Sequence, residues 1–574
     1  MKNLPKLWAL KRAVRQFYPV KVPQPKWEEL LGEDFNSWKS LASRETQTGQ
    51  RILLVSTVGA PTVTTVDSLL AVALTLRGAE VDILICDGAL PACQASWLDR
   101  LQSEKEFVKH GPQRDLCPSC FSSGYDMYRS LGIKVHRYSQ FLSEDDYRRA
   151  ESLAASIPLD EIPQHTVDGI PVGEHALAGA IRFYARGGLE REEYGEAVLR
   201  RYMAASLLTM YASNRLFNEL DYSCVSANHG IYVPQGVICA VAKQKGARIV
   251  NWAIGYRKNS FIFSHDDTYH HTLMTEPVSN WINMNWDEEM ESDLLKYLKS
   301  RWSGANDWIS YSKNAEADRN AISKEVGVDF SKPCIGLLTN VVWDAQLHYP
   351  QNAFPNMLDW LMVTIRYFAE RPDLQLVIRV HPAEVQAQIQ SRQPVVEEIK
   401  RAFPDLPGNI FIIPPESAVS TYAVMMQCDS VLIYGTKAGV ELTSFGVPVI
   451  VAGEAWIRNK GITADATSSE HYMELLEKLP LGERLSEEIV RRARKYAYHF
   501  FFRRTMPLKV IQPVNAETWW APYEVQISGL NDLLPGNDPG LDAICDGILH
   551  GREFIYPAER LGKPSDELAT AGVA

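Results

Sequence analysis

The sequence predicts two α/β domains whose parallel sheets face each other across a cleft. Short apolar runs rich in β-branched residues alternate with helical patterns over residues 50–256, and the same alternation starts again at Pro333. Strand–helix–strand series of this kind predict parallel sheets with helical crossovers. Ligands of such sheets bind outside the carboxyl ends of the strands, so we expect the functional residues in the loops there.

The length of 574 residues is enough for two to four domains. No short-period repeat is present. Changes in pattern along the chain predict five segments: an N-terminal helical extension at 1–48, a first Rossmann-like domain on the acceptor side at 49–284, a helical linker at 285–332, a second, nucleotide-binding Rossmann-like domain at 333–480, and C-terminal helices with a tail at 481–574.

Composition narrows the class of protein. A net charge of −11 and a pI of about 5.7 argue against a general nucleic-acid binder, which would carry a basic stripe. The chain contains no run of 18 or more apolar residues, so no transmembrane helix is predicted. Nine cysteines, several of them inside apolar runs, indicate a reducing, cytoplasmic compartment. The basic, amphipathic segment 1–22 is interpreted either as a packing helix or as a helix on the surface of the inner membrane.

The apolar run QLVIRV ends in His381-Pro382. A strand that runs into this pair places the imidazole of His381 at the cleft edge, where it can donate a hydrogen bond to a phosphate oxygen. Pro382 disfavours a helix at His381. Arg379, two residues earlier, is a second candidate for the same phosphate. The alternative interpretation is a histidine in an ordinary surface loop.

The run SVLIY leads through Gly435, Thr436 and Lys437 into a predicted helix. Gly435 permits a tight turn, Thr436 is a natural helix cap, and Lys437 can neutralise phosphate. Glu441 lies one helical turn after Lys437, where its carboxylate could accept hydrogen bonds from two ribose hydroxyls. The alternative for Glu441 is an internal ion pair with Lys437.

Two further loops follow predicted strands. Thr339 and Asn340, with Asp344 after them, begin the second half and suit hydrogen bonding to donor phosphate or sugar. In the first half, His229 follows a strand and precedes Gly230. Transfer of a sugar with inversion requires a base that deprotonates the acceptor hydroxyl, and His229 is the best candidate by position. The alternative is a structural histidine that binds backbone.

Two groups of residues resemble metal sites. Cys86, Cys93, Cys117 and Cys120 offer four thiols, but the irregular spacing leaves a structural zinc site open. The run SHDDTYHH at 264–271 is more typical of a hydrogen-bonded loop than of a metal site. The chain contains no Asp-x-Asp, no G-x-x-x-x-G-K-[ST], no G-x-S-x-G and no H-E-x-x-H, which disfavours metal–diphosphate clamps, P-loop ATPases, serine hydrolases and zincins.

The motif RVHPAE, followed by YGTKAGVELTSFGVPVIVAG, KGIT and SSEHY, resembles the bacterial capsule polysaccharide biosynthesis family, which is similar to Kdo transferases and to sialyltransferases with a His-Pro motif. The resemblance implies a GT-B-like fold, a nucleotide-activated donor and chemistry that needs no metal. It also implies that His381 binds donor phosphate and that the segment 436–441 holds phosphate and ribose. Gly435-Thr436 stands where the sialyltransferases have Ser-Ser or Ser-Thr, which places a CMP-sugar donor in doubt.

The resulting hypothesis is a glycosyltransferase, hexosyl-, Kdo- or related, that extends a capsular or lipopolysaccharide glycan from a nucleotide sugar. It requires no cofactor. Its expected partners are the nucleotide sugar, a glycan or lipid-linked acceptor, and either the inner membrane or other assembly proteins. The alternatives are a nucleotide-sugar epimerase of the same fold and a non-catalytic polysaccharide assembly protein.

Overall fold

A computed structural model describes most of the chain. The described residues are 22–43, 49–56, 59–101, 103–114, 116–302, 307–308, 318–514 and 523–560. The predicted segment 1–22 lies almost wholly outside them, and so do parts of the predicted linker and of the C-terminal tail.

The first half alternates strands and helices as the sequence predicts. In chain order its elements are α1 (Trp27–Leu31), α2 (Phe35–Ala42), β1 (Arg51–Val55), α3 (Pro61–Leu76), β2 (Glu80–Ile85), α4 (Glu104–His110), α5 (Cys117–Ser130), β3 (Lys134–Arg137), α6 (Glu144–Ser156), α7 (Val172–Tyr184), α8 (Gly195–Glu219), β4 (Cys224–Asn228), α9 (Gln235–Gln244), β5 (Arg248–Ile254), β6 (Ser260–His265), α10 (Tyr269–Thr275) and α11 (Ser279–Ile282).

The second half repeats the alternation. Its elements are α12 (Glu288–Arg301), α13 (Arg319–Val326), β7 (Cys334–Leu338), α14 (Met357–Ala369), β8 (Gln375–Arg379), α15 (Ala383–Gln386), α16 (Val395–Ala402), β9 (Ile410–Ile413), α17 (Thr421–Met425), β10 (Ser430–Ile433), α18 (Ala438–Ser444), β11 (Val449–Val451), β12 (Ala464–Asp465) and α19 (Ser469–Leu476). The remaining elements are α20 (Glu487–Tyr498), a π-helical turn (His499–Arg503), β13 (Thr505–Pro507), β14 (Ile511–Pro513), β15 (Tyr523–Val525) and α21 (Pro539–His550).

Each half is built on one sheet. The first has the strand order β13-β6-β5-β4-β1-β2-β3, in which β3, β2, β1, β4 and β5 are parallel while β6 and β13 are antiparallel to their neighbours. The second has the order β12-β11-β10-β7-β8-β9 and is parallel throughout. The predicted class, two Rossmann-like domains of the GT-B type, is confirmed by this architecture. Most residues of β1, β4, β7 and β8 are buried, as expected for strands covered on both faces.

The C-terminal section is not the separate unit that the sequence predicts at 481–574. After α20 the chain returns to the first half, where Met506 of β13 pairs with Phe261 of β6. Helix α21 then packs Ile544 and Ile548 into the core beneath that sheet. The three residues of β13 are too short to give a sequence signal, so the sequence predicts helices and a tail there.

The predicted N-terminal extension also contributes to this core. Trp27 of α1 and Trp38 of α2 are almost fully buried, and the indole N–H of Trp38 donates to the carbonyl of Leu131 at 3.0 Å. These two helices are therefore part of the first domain. Among the described residues, no helix combines the length and the apolar character needed to cross a membrane.

The two halves share apolar contacts. Ile181 of α7 lies in one buried cluster with Trp343 and Trp360 of the second half. Tyr232 lies in another with Ala345. These contacts bring the carboxyl ends of the two sheets towards each other.

Candidate functional site

A cleft of about 2290 Å³ lies between the two domains. Its walls come from loops that follow β4 and β5 in the first sheet and β7, β8, β10 and β11 in the second, as expected for ligand sites of parallel sheets. Pockets for one small molecule usually have about 300–1,000 Å³, so this cleft has room for two substrates. Of the predicted site residues it is lined by His229, Asn340, His381, Gly435, Thr436 and Lys437.

His381 lines the cleft just after β8. Its backbone N–H donates to Thr339 Oγ1 at 3.1 Å, and its Nδ1 accepts from the backbone N–H of Ala383 at 3.1 Å. Because Nδ1 is an acceptor, the neutral ring carries its proton on Nε2. Burial lowers the pKa of His381 to about 4, and the Lys437 cation lowers it further. At neutral pH the imidazole is therefore an uncharged donor.

The turn after β10 lines the same wall. Thr436 Oγ1 accepts from the backbone N–H of Ala438 at 3.4 Å, which fixes the start of α18. The Lys437 ammonium lies 4.9 Å from the ring centroid of Tyr256, which belongs to the first domain. Burial lowers the pKa of Lys437, as does the nearby Arg301 cation, whereas Glu441 acts in the opposite direction.

Glu441 does not have the position that the ribose-binding prediction requires. It is fully buried and does not line the cleft. Its carboxylate accepts from Lys437 Nζ at 3.2 Å, from Tyr422 Oη, and pairs with Arg301 Nε at 3.1 Å. Burial alone would raise the pKa of Glu441, but the two cations and the Tyr422 hydroxyl lower it. The position of Glu441 therefore favours the alternative interpretation, an internal ion pair with Lys437, which occupies the carboxylate.

Arg379 is also not brought to the cleft. Its guanidinium donates to the carbonyls of Pro414 and Ser417 and to Thr421 Oγ1, all within its own domain. Thr339 is buried and holds the His381 backbone instead of facing the cleft. The sequence places both residues at strand ends correctly, but it does not show which way the side chains point.

His229 lies on the opposite wall, after β4. It has a positive φ of 67°, and Gly230 follows with a φ of 66°. A Cβ on Gly230 would lie 2.3 Å from Asn251 Oδ1, so the turn requires glycine there. His229 Nδ1 is buried and has no hydrogen-bond partner among the described residues. Burial lowers the pKa of His229, Asp344 opposes this shift, and the Arg182 cation adds to it. The ring is therefore a neutral base at the cleft surface.

In the sequence Asp344 is only a companion of Thr339 and Asn340, but in the structure it contacts the first domain. It lines the cleft and is exposed, and its Oδ1 accepts from the hydroxyl of Tyr232 across the domain boundary at 2.8 Å. Its charge acts on the imidazoles of both His229 and His381. Titratable groups with shifted pKa values that share one cleft are candidates for a functional site. The sequence signal that points to a functional role for Asp344 is its position in the loop after β7, the first strand of the second domain.

Neither of the two groups that resemble metal sites in the sequence has the geometry of a metal site among the described residues. The four cysteines of the predicted cluster line the cleft wall as free thiols. In the part of the chain that the structure describes, no group of three or more His, Cys, Asp or Glu residues could hold a metal. In the run 264–271, His271 Nδ1 contacts both carboxylate oxygens of Asp267 at 3.1 Å, and His270 lines the cleft with its pKa lowered by burial to about 3. His271 and Asp267 thus form a hydrogen-bonded pair at the start of α10, and residues 264–265 end strand β6.

Comparison with known proteins identifies the second half. Residues 310–482 match the family model described as capsule polysaccharide biosynthesis protein. This segment is therefore similar to the proteins of that family. The resemblance read from the sequence is thus confirmed over the segment that carries its motifs, which includes His381 and the turn at 435–437. The match covers less than a third of the chain.

Solved structures with similar folds include two enzymes of Thermosulfurimonas dismutans. The chain is 13% identical to the KpsC beta Kdo 2,4 transferase, with a TM-score of 0.31, over 48% of this chain and 79% of that one. It is 12% identical to the KpsC beta Kdo 2,7 transferase, with a TM-score of 0.31, over 56% of this chain and 88% of that one. It is 11% identical to the UDP-GlcNAc 2-epimerase of Neisseria meningitidis, with a TM-score of 0.23, over 78% of this chain and 95% of that one. No curated protein matches the chain. At such scores the fold assignment depends on the strand order described above.

Proposed function

We propose that this protein is a glycosyltransferase of surface polysaccharide synthesis that uses a nucleotide-activated sugar. The observation that carries the proposal is the pairing of two walls in one cleft. The second-domain wall presents His381, Thr436 and Lys437, which are suited to an anionic leaving group. The first-domain wall presents His229, whose imidazole lines the cleft and is neutral because burial lowers its pKa. The family match of the second domain supports the same function.

In the proposed reaction, His229 accepts the proton of an acceptor hydroxyl as the hydroxyl oxygen forms a bond to the anomeric carbon of the donor sugar. The bond between that carbon and the donor phosphate breaks, and the nucleotide leaves with the electron pair. His381 donates a hydrogen bond from Nε2 to the leaving phosphate, and the Lys437 ammonium neutralises its charge. We propose that these groups make a metal ion unnecessary.

A thermal-shift panel of nucleotides and nucleotide sugars, with and without EDTA, tests the proposal. A donor present at 100 times its dissociation constant should stabilise the protein by about 2.7 kcal/mol. His381→Ala should weaken the binding of that donor about tenfold or more, because one hydrogen bond to a charged phosphate is lost. The exposed His550, at the end of α21, supplies the control variant His550→Ala, which should bind normally.

The outcomes separate this function from its alternatives. Absence of binding by every nucleotide would favour a non-catalytic assembly protein. Conversion of the nucleotide sugar to its epimer without any acceptor would favour an epimerase. Equal donor affinity in His381→Ala and in the unchanged protein would contradict the phosphate-binding role of His381.

A further inference from the structure

The first-domain wall of the cleft carries two arginines that contact one tryptophan. The guanidinium carbon of Arg100 lies 4.8 Å from the ring centroid of Trp97, and that of Arg182 lies 5.6 Å from it. The two cationic groups are therefore at most about 10 Å apart. All three residues line the cleft.

Neither arginine has a carboxylate partner among the described residues. Arg182 Nη1 donates to the carbonyl of Gln94 at 2.6 Å, and Arg100 Nη1 donates to the carbonyl of Ala95 at 3.2 Å. A guanidinium has five N–H donors, and no other hydrogen bond of these two groups is formed within the described chain. Asp99 and Glu190 line the same cleft, but neither forms an ion pair with Arg100 or Arg182.

Two like charges placed so close together without a counter-charge oppose each other. The Arg100 side chain is exposed on the cleft wall, and its pKa is lowered by partial burial and, to a smaller extent, by the Arg182 cation. Arg191, which also lines the cleft, is already paired with Glu398 at 2.8 Å. An anion bound beside Arg100 and Arg182 would supply the missing negative charge.

The location of the pair relates it to the proposed chemistry. Arg182 lies 5.1 Å from the ring centroid of Tyr232, which carries the hydrogen bond to Asp344. The charge of Arg182 also acts on His229, the proposed base. A group bound by these arginines would thus belong to the substrate on the first-domain wall, and its neighbouring hydroxyl would lie near His229.

We propose that Arg100 and Arg182 form an oxyanion-binding subsite for the acceptor, which is therefore an acidic glycan bearing a carboxylate or phosphate group near the hydroxyl that is glycosylated. This inference rests on the proposed function, because it assigns the first-domain wall to the acceptor. The Trp97 ring holds the two guanidiniums beside each other, and the wide cleft admits an oligosaccharide.

The test uses the full-length protein and two matched oligosaccharides. Tetragalacturonate is the acidic probe, and the same tetrasaccharide with its carboxyl groups reduced to alcohols is the neutral one. Calorimetric titration should show at least tenfold tighter binding of the acidic probe at low salt, since each charge-assisted hydrogen bond to an arginine contributes about that factor. The difference should shrink as the salt concentration rises.

Arg182→Gln and Arg100→Gln should each weaken binding of the acidic probe about tenfold and leave the neutral probe unchanged. Arg149→Gln is the matched control, because Arg149 also contacts an aromatic ring, that of Tyr211 at 5.4 Å, but lies outside the cleft. Circular dichroism melts show whether each variant is folded. Inorganic phosphate serves as a competitor: displacement of tetragalacturonate supports a shared oxyanion site, and binding of phosphate alone, lost in Arg182→Gln, assigns the anion to a phosphate ester.

Equal affinity for the acidic and neutral probes, or loss of binding in neither arginine variant, would overturn the proposal. Nucleotide-sugar binding is measured on the same variants. If the donor binds but the protein has equal affinity for the acidic and the neutral probe, the proposed subsite is wrong while the proposed function stands. The opposite result is that no nucleotide binds, while the protein prefers the acidic probe and loses this preference in both arginine variants. The oxyanion site is then supported and the transferase function is contradicted.

Discussion

His229 and His381 face one cleft from opposite sheets, and burial lowers the pKa of both. Their hydrogen bonds differ, and that difference separates their roles. Nδ1 of His381 is engaged by the Ala383 N–H, so that ring donates through Nε2. His229 Nδ1 is buried and has no partner in the described chain, so in the proposed reaction proton transfer from a substrate in the cleft falls to Nε2 of that ring. Similar electrostatic surroundings thus produce a donor on one wall and a base on the other.

Substitution of the proposed base should affect turnover and spare donor binding. We expect His229→Asn to lower kcat by about 10²- to 10⁴-fold, because general-base catalysis contributes a factor of that size. The measurement is transfer from the donor identified in the thermal-shift panel, with the donor dissociation constant determined in parallel. Full turnover in the variant would place the base elsewhere.

The pH profile gives a second readout of His229. A base with a lowered pKa remains unprotonated as the pH falls through 6.5, the ordinary value for histidine. We therefore expect the acid limb of the rate profile to lie below pH 6.5. Asp344 stabilises the protonated ring, so Asp344→Asn should move this acid limb to still lower pH. A limb centred at or above 6.5 in the unchanged protein would contradict the assignment.

Helix α12 of the linker holds the start of α18 in place through buried charges. Arg301, the last residue of α12, pairs with Glu441 and with Asp307, and Glu441 in turn pairs with Lys437. Tyr297, one turn earlier on α12, donates to Asp307 Oδ1 at 2.8 Å. The element that joins the domains therefore fixes the lysine that faces the cleft. Burial of such a network is costly unless every charge is paired.

Removal of Glu441 should destabilise the protein strongly. Glu441→Ala leaves the buried Arg301 and Lys437 cations without their shared partner, for which we expect a loss of about 3–5 kcal/mol in the free energy of unfolding. Glu397→Ala is the control, since the Lys400–Glu397 pair on α16 has both side chains mostly exposed and should contribute less than about 1 kcal/mol. Chemical denaturation measures both. Similar losses in the two variants would refute the stabilising role of the network.

Much of this molecule can be read from its sequence. The apolar strands and the glycine- and proline-marked turns locate both sheets and the loops at their carboxyl ends. That information places His229, His381 and Lys437 in one cleft. Side-chain direction is not contained in local pattern, so the sequence does not show that Arg379 donates to the Pro414 carbonyl or that Glu441 pairs with Arg301 of the linker helix. Contacts between distant segments, such as Arg182 with Trp97 or β13 with β6, have no local signal at all.

The two domains are also joined by a buried lysine. Lys460 of the second domain donates to the carbonyls of Met274 and Glu276 of the first at 2.9 and 3.0 Å, and it is 1% exposed. Burial lowers the pKa of Lys460 to about 8, although the Glu276 carboxylate partly opposes the shift. In the unfolded chain lysine titrates near 10.4. Between these two values the unfolded state binds more protons than the folded state, so stability must rise with pH.

We expect the contribution of Lys460 to the free energy of unfolding to increase by about 2 kcal/mol between pH 8 and pH 10. Tyrosines and cysteines titrate in the same window, so the test is the difference between the unchanged protein and Lys460→Met, each unfolded by denaturant at pH 7.5, 9 and 10. Methionine has a similar volume but no charge, and the variant should lack this increase. Parallel pH dependences in the two proteins would contradict the lowered pKa of Lys460, and its ammonium group would then have to be in better contact with water than the 1% exposure of the side chain indicates.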